Sequence, residues 1–110
     1  GDIWQDSAVA CITEFGRTAA ANGSGGTDHG TASVALLAGG GIEGGRVLAD
    51  WPGLDLSRLV DGRDLAPTTD LRSLLKAMLV DHLGLEPDGV ERVVFPQSRD
   101  AGKLHDLMAA

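Results

Sequence analysis

Four side chains that can bind a metal ion or an anion lie in the first third of the chain: Glu14, Arg17, Asp28 and His29. Glu14 and Arg17 follow one short apolar run, and Asp28 and His29 come just before a second. Carboxylates and neutral imidazoles are ligands of ions such as zinc, and a guanidinium suits a phosphate or sulfate group. The residue types therefore favour a site for a metal ion, for an anionic group, or for both.

Two simpler interpretations of these residues stay open on their spacing alone. Glu14 and Arg17 can form an ion pair at the end of a strand. Asp28 can bond to its own backbone in an ordinary turn over Asp28-His29-Gly30. Neither interpretation requires a ligand.

Two short apolar segments flank the glycine-rich loop and must position these side chains. Residues 7–13 and 31–38 are small, apolar and β-branched, and the first segment is too short for a typical helix, so both are predicted as strands. We expect the first to be buried on both faces, with Cys11 inside. If the strands are antiparallel neighbours, the end of the first meets the start of the second, and the four polar side chains converge.

The second half of the chain looks mainly like scaffold. Residues 68–83 are predicted as a helix because apolar side chains recur at helical spacing, with Thr68 or Thr69 as the N-cap and Gly84 at the C-terminal end. Residues 91–95 are predicted as a strand and residues 100–110 as a short closing helix. His82 is expected at the edge of the helix core and His105 on the surface. Trp4 and Trp51 are expected to fill space in the core or at its edge.

Composition limits the class of protein. The chain has 110 residues, a net charge of −7 and an isoelectric point near 4.6. We expect a single domain over residues 1–110 and no nucleic-acid partner, because phosphate backbones demand a basic surface. No run approaches the ~18 apolar residues of a membrane span. With Cys11 as the single cysteine, no intrachain disulfide can form.

Four motifs in order give the chain a family resemblance. TEFGRT (13–18), GSGGTDHG (23–30), ALLAGGGIEGGRV (35–47) and GRDLAPTTDL (62–71) closely resemble the exported bacterial proteins of domain-of-unknown-function family 1501. That family looks like a branch of the alkaline phosphatase and sulfatase superfamily. The resemblance covers roughly residues 6 to 85 and the C-terminal part of the family. It implies a fragment of a longer protein that is exported, by the Tat route, to the periplasm.

The superfamily resemblance implies a fold and a site. The fold expected is α/β, a small mixed sheet with flanking helices that forms the C-terminal portion of an alkaline phosphatase-like fold. The longer protein would be a metal-dependent hydrolase of phosphate or sulfate esters that uses Zn, Mn or Ca. Glu14 and His29 stand where metal ligands stand in the superfamily, with Asp28 orienting His29 and Arg17 contacting the anion. No catalytic residue is expected in this chain, because the superfamily's nucleophile belongs to the N-terminal half of the longer protein. That N-terminal half is also the expected binding partner of this chain.

One departure from the superfamily pattern supports a second function. Phe15 stands where the superfamily has a ligand histidine, and phenylalanine cannot bind a metal. An alternative alignment sets Asp28-His29-Gly30 against the superfamily's own Asp-His-Gly motif; His29 is a site residue in both. The second function is an exported, non-catalytic binding or assembly protein that holds a ligand or partner with its glycine-rich loop. A sheet face left exposed by the missing half would favour a homo-oligomer.

Overall fold

A computed structural model of the chain describes residues 2–109. The fold is a small mixture of short helices and strands, and its contacts divide the chain into two compact units. The helical unit comprises residues 2–10, Leu37–Arg46 and residues 70–109. The hairpin unit comprises Cys11–Leu36 and Val47–Thr69. Residues 1 and 110, the ends of the predicted single domain, lie outside the described residues.

The strands are short and belong to two separate two-stranded sheets. They are β1 (Val9–Cys11), β2 (Gly16–Arg17), β3 (His29–Gly30) and β4 (Leu36–Ala38). β1 pairs with β4, which confirms that the two predicted strands are neighbours, although each is shorter than expected. β2 pairs with β3 in an antiparallel ladder. The α/β class is thus confirmed, but two small sheets replace the single sheet that was expected.

The helices lie mainly in the second half of the chain. They are α1 (Asp2–Gln5), a 3-10 turn (Leu56–Arg58), α2 (Leu71–Ala77) with a π-helical continuation (Met78–His82), and α3 (Pro87–Gly89) with a π-helical continuation (Val90–Val94). Within residues 2–109, no helix is long and apolar enough to cross a membrane.

The predicted helix of residues 68–83 is confirmed with a later start. Asp70 is its N-cap, because the Asp70 carboxylate accepts a hydrogen bond from the backbone N–H of Arg72 at 2.9 Å. An aspartate at this position satisfies an N–H group that has no partner inside the helix. Neither Thr68 nor Thr69 is therefore the cap. At the other end Gly84 has φ +72, the left-handed conformation with which helices commonly end.

The core of the helical unit is small. Leu74, Ala77 and Leu107 are buried, and the partly buried side chains around them are Leu37, Met78, Leu104 and Met108. The apolar spacing of the helix explains why Leu74, Ala77 and Met78 share one face. Residues 100–109 cover this face as an irregular segment rather than as the predicted closing helix, and the remaining predicted position, Ala110, lies outside the described residues.

The C-terminal part of the helical unit is held by a buried lysine. Lys76 is 1% exposed, and its ammonium group lies 2.8 Å from Glu91 Oε2, 2.8 Å from the carbonyl of Ser98 and 2.7 Å from that of Ala101. Glu91 reaches Lys76 from the π-helical turn after α3, so residues 91–95 do not form the predicted strand. The buried charge is paired and fully bonded, as burial of an ammonium group requires.

Three burial predictions are wrong. Cys11 is exposed, and Val9 is exposed at 44%, so β1 is not buried on both faces. Trp4 and Trp51 are also exposed rather than packed in a core. Apolar composition predicts which side chains favour burial. It does not show whether another part of the described chain packs over them.

Candidate functional site

The candidate site is built on the β2–β3 ladder of the hairpin unit. Arg17 lies opposite His29 in the ladder, and Gly16 lies opposite Gly30. The backbone N–H of Thr18 extends the pairing by donating to the carbonyl of Asp28 at 3.1 Å. The chain segments that carry Glu14 and Arg17 and those that carry Asp28 and His29 therefore meet, because the loop returns beside its own start.

Glycine is required on both sides of this ladder. A Cβ at Gly30 would lie 2.6 Å from the backbone carbon of Arg17, and a Cβ at Gly16 would overlap the carbonyl oxygen of Ala32. Real Cβ atoms do not approach backbone so closely, so any other residue would force the strands apart. The two glycines allow the backbones beside Arg17 and His29 to come together.

The loop between β2 and β3 is shaped by the side chain of Asn22. Its Oδ1 accepts hydrogen bonds from the backbone N–H groups of Ser24 and Gly26, both at 3.0 Å, and its Nδ2 donates to Asp28 Oδ1 at 3.1 Å. This is the side-chain-to-backbone bonding that makes asparagine common in turns. The glycine-rich loop uses these amides internally, so they are not free to cradle a phosphate group.

Thr18 closes the base of the same loop. It is 5% exposed, and its hydroxyl accepts from the backbone N–H of Asp28 at 3.2 Å while it donates to the carbonyl of Ala20 at 2.9 Å. The side chain of Asp28 is directed to Asn22, and its backbone is held by Thr18. A role for Asp28 in orienting His29 stays a prediction.

Arg17 and Glu14 are both exposed. The guanidinium of Arg17 donates to the carbonyl of Thr27 at 3.2 Å, which lays the side chain along the loop. Among the ion pairs of residues 2–109, none joins Arg17 to Glu14, so the simple pairing considered from the sequence is wrong. A neutral carbonyl partner leaves the positive charge of Arg17 uncompensated and available to an anion.

His29 is stacked on Phe15. The ring centroids are 4.4 Å apart and the ring planes differ by 18°, a parallel arrangement. Such a contact fixes the plane of the imidazole while its two nitrogens stay at the ring edge. His29 itself is exposed, so a ligand can reach the ring.

The metal site implied by the resemblance is not complete in this part of the chain. One carboxylate and one imidazole suit zinc or manganese chemically, but zinc sites in proteins use three or four protein ligands. Among residues 2–109, no three His, Cys, Asp or Glu side chains cluster closely enough to hold an ion. The residues described do not fit a metal ion by themselves, and Glu14 and His29 as ligands stay a prediction.

The other two histidines of the sequence, His82 and His105, belong to the helical unit. In the helical unit, the imidazole of His82 lies against Gly41, where a Cβ would come 2.6 Å from Cε1 of the ring. His82 is half-buried at the helix edge as expected, and His105 is exposed, which confirms its surface prediction.

Sequence reasoning missed the residues that shape the candidate site, namely Thr18, Asn22, Thr31 and Asp64. Asn22-Gly23 is a typical turn dipeptide, but only the structure shows that the side-chain amide of Asn22 bonds across the loop. Asp64 forms an ion pair with its sequence neighbour Arg63 at 3.2 Å. Its bond to Thr31 joins residues 33 positions apart, which no local pattern reveals.

Comparison with known proteins gives one match. Residues 2–94 match the model of a family described as "Protein of unknown function (DUF1501)". This range is longer than residues 6 to 85, over which the sequence motifs carry the resemblance. No curated protein and no solved structure matches the chain. Because the family model spans most of the 110 residues, the chain belongs to the DUF1501 family of proteins of unknown function.

Proposed function

We propose that the β2–β3 face of the hairpin unit recognises the anionic group of a phosphate or sulfate ester. The observation that carries this proposal is the ladder register that sets Arg17 opposite His29. An exposed guanidinium beside an exposed imidazole offers several N–H donors to one tetrahedral anion. In a chain with net charge −7, Arg17 supplies a single exposed positive charge to this face rather than part of a general basic surface.

The wider proposal is that the longer protein is an exported, periplasmic ester hydrolase with an alkaline phosphatase-like fold. In it, this chain contributes Glu14 and His29 as two ligands of a divalent ion (Zn, Mn or Ca), and Arg17 as the anion contact. The nucleophile and the remaining ligands come from the N-terminal half of the same protein. What supports this is the resemblance of residues 13–18 and 23–30 to the superfamily's metal-binding motifs, together with the β2–β3 ladder, which brings the segment after Glu14 beside His29.

The hairpin unit exposes a set of apolar side chains, and the proposal includes a partner that buries them. Val47 is 90% exposed, and Leu48, Trp51, Leu54 and Leu56 are more than half exposed. An apolar stretch of this kind marks a protein interaction surface. We assign it to the N-terminal half of the longer protein, with self-association of the isolated chain as the competing outcome. Light scattering over a concentration series distinguishes the two, because a monomer at high concentration argues against the homo-oligomer.

The anion proposal is tested by titrating the purified chain with inorganic sulfate and inorganic phosphate while recording ¹H–¹⁵N and imidazole NMR signals. We expect saturable shifts at Arg17 and His29 and a loss of affinity of about tenfold or more in Arg17→Gln, because one charge-assisted contact is removed. Arg58→Gln is the matched control, since Arg58 is an exposed arginine of the same unit that pairs with Asp55. Equal losses in both variants, or no saturable binding, contradict the proposal.

The hydrolase proposal needs its own measurement on the longer protein. We expect hydrolysis of p-nitrophenyl phosphate or p-nitrophenyl sulfate, together with bound Zn, Mn or Ca that is lost in His29→Ala. Absence of a stoichiometric metal, with sulfate binding unchanged in His29→Ala, contradicts it.

The second candidate function is a non-catalytic binding or assembly protein, and the Phe15–His29 stack favours it. Phe15 places a phenyl ring, 4.4 Å from the imidazole, at the position that holds a metal ligand in the superfamily resemblance. A site with one ligand fewer binds an ion less well, whereas an aromatic platform suits a ligand or partner surface. Sulfate binding without metal and without ester hydrolysis in the longer protein would select this function.

A further inference from the structure

A buried carboxylate lies beside the candidate site in the hairpin unit. Asp64 is 6% exposed, and both of its carboxylate oxygens have partners. Oδ2 accepts from the hydroxyl of Thr31 at 3.0 Å, and Oδ1 accepts from Nε of Arg63 at 3.2 Å. Burying a carboxylate is costly unless it is paired and hydrogen-bonded, so these contacts are needed to keep Asp64 where it is.

The backbone around Asp64 forms a tight turn. Val60 and Asp64 exchange both backbone hydrogen bonds, at 2.8 and 3.0 Å. Between them, Asp61 and Gly62 have φ values of 55° and 65°, so the turn uses two consecutive left-handed residues. Two consecutive left-handed residues are typical of tight turns, and the backbone N–H of Arg63 closes this one by donating to the Val60 carbonyl at 3.0 Å. The carboxylate of Asp64 is therefore attached to a backbone whose conformation is strongly restricted.

This turn contacts the strand that carries Arg17. Asp64 forms an isolated antiparallel bridge with Thr18, the residue directly after Arg17. Next to that bridge, the backbone N–H of Ala19 donates to the carbonyl of Arg63 at 2.9 Å. The end of β2 is thus fixed to the turn through the main chain.

The same carboxylate reaches the strand that carries His29. Thr31 is two residues after His29, and its hydroxyl bonds to Asp64. β3 ends at Gly30, so a single residue separates Thr31 from His29, and a restraint on Thr31 also limits the backbone path of His29. Asp64 therefore touches the neighbours of Arg17 through the backbone and those of His29 through its side chain.

We propose that Asp64 is a positioning residue that sets the separation and orientation of Arg17 and His29 through Thr31. The inference rests on the proposed anion-binding function of Arg17 and His29. It adds Asp64, a residue outside the β2–β3 ladder, to the residues that support this function. Asp64 does not contact the ligand. It acts by holding the β3 side of the ladder in register with the β2 side.

The experiment compares Thr31→Val with Thr31→Ser. The valine has a similar shape but no hydroxyl, whereas the serine keeps the donor to Asp64. The readouts are the affinity for inorganic sulfate and the NMR shifts of the His29 ring protons, which are sensitive to the adjacent Phe15 ring. We expect Thr31→Val to weaken sulfate binding by about tenfold and to move the His29 signals, because a bond to a charged group is lost. Thr31→Ser restores both.

Asp64→Asn tests the same bond from the other side. The amide keeps the shape but lacks the charge, so the His29 signals and the sulfate affinity are expected to change in the direction seen for Thr31→Val. If both variants lower the unfolding midpoint and leave the His29 signals and the sulfate affinity as in the wild type, Asp64 is structural only and the inference is wrong.

Failure of the proposed function is distinguishable from failure of this inference. If the wild type binds no sulfate, the anion proposal fails, but the His29 ring signals still report on positioning. Displaced His29 signals in Thr31→Val that return in Thr31→Ser then support the inference, and unchanged signals overturn it.

Discussion

Phe15 and His29 stack face to face across the start of the hairpin, with ring centroids 4.4 Å apart and ring planes 18° from parallel. The two residues belong to different motifs of the sequence, TEFGRT and GSGGTDHG, and the Arg17–His29 register brings them together. The contact fixes one face of the imidazole, so an approaching ligand meets the other face or the edge that carries the nitrogens. Phe15 is thus the direct neighbour of the histidine at the candidate site.

Phe15→Leu is expected to release the His29 ring with little loss of stability. Aromatic pairs contribute about 0.5–1.5 kcal/mol beyond their buried area, and this one lies at the lower end because Phe15 is 48% exposed. The His29 ring protons should move downfield in NMR spectra as the ring current of the phenyl group is lost. Phe15→Tyr keeps the stacked ring and is the control that should retain the wild-type shifts. Unchanged His29 shifts in Phe15→Leu would show that the stack does not persist in solution.

Gly16→Ala is expected to break the β2–β3 ladder. The added Cβ would overlap the carbonyl oxygen of Ala32, which is backbone and cannot move aside cheaply. Gly23→Ala is the matched control, because a Cβ there meets nothing within 4 Å. Hydrogen exchange of the ladder amides, including that of Thr18, measures the result. Fast exchange in Gly16→Ala with wild-type exchange in Gly23→Ala is the expected outcome, and equal exchange in the two variants would contradict the ladder.

The hairpin could be predicted from the sequence because its signals are local. Two apolar segments, an Asn-Gly turn and a loop rich in glycine indicate a chain that returns beside its own start. The meeting of the Arg17 and His29 segments follows from that pattern. The β2–β3 ladder, which forms in addition to the pairing of β1 with β4, could not be predicted, since it depends on Gly16 and Gly30 allowing contact between backbones.

Residues 91–95 show where local propensity fails. Val93, Val94 and Phe95 favour a strand on propensity alone. In the structure, Pro87 begins a helical turn and Glu91 continues it, so that the Glu91 carboxylate meets Lys76 in the helical unit. The buried ammonium group of Lys76 needs a partner because of the tertiary structure. This requirement outweighs the strand propensity of residues 93–95, a preference of about 1 kcal/mol. The same limit applies to Asp64, whose partner Thr31 is distant in sequence.

Lys76→Met is expected to destabilise the chain strongly. The substitution leaves the carboxylate of Glu91 and the carbonyls of Ser98 and Ala101 without their common donor. Breaking a buried pair by removing one partner costs about 3–5 kcal/mol, and the partial exposure of Glu91 places the effect toward the lower end. Urea unfolding followed by circular dichroism measures the loss.

Lys103→Met is the control for this prediction. Lys103 pairs with Asp81 at 2.7 Å, but the two side chains are 28% and 33% exposed, so its removal should cost about 1 kcal/mol or less. Equal losses for the two lysine variants would show that Lys76 is not buried as described. A loss confined to Lys76→Met would confirm that its ammonium group holds the Ser98–Ala101 segment to α2.

Asp70 is expected to make stability depend on pH in the acid range. The hydrogen bonds from Arg72, first from its side chain and then from its backbone N–H, lower the pKa of Asp70 from 3.8 to about 2. Because the folded state holds this proton less tightly than the unfolded state, the contribution is fully present above about pH 4 and is lost as the pH falls through about 2. The side chain is 37% exposed, so screening by solvent limits the contribution to about 1 kcal/mol or less.

Asp70→Asn isolates this contribution, because asparagine is also a good N-cap but carries no charge. The difference in unfolding free energy between wild type and Asp70→Asn, measured in urea at several pH values, should be constant near pH 6 and shrink between pH 4 and 2. Arg72→Gln should reduce the same dependence, since it removes the guanidinium but keeps the backbone N–H that also lowers the pKa of Asp70. Asp70→Ala, which also removes the cap, should cost about 1 kcal/mol more than Asp70→Asn at every pH. A wild-type-to-Asn difference that stays constant down to pH 2 would show that the Asp70–Arg72 pair does not form in solution.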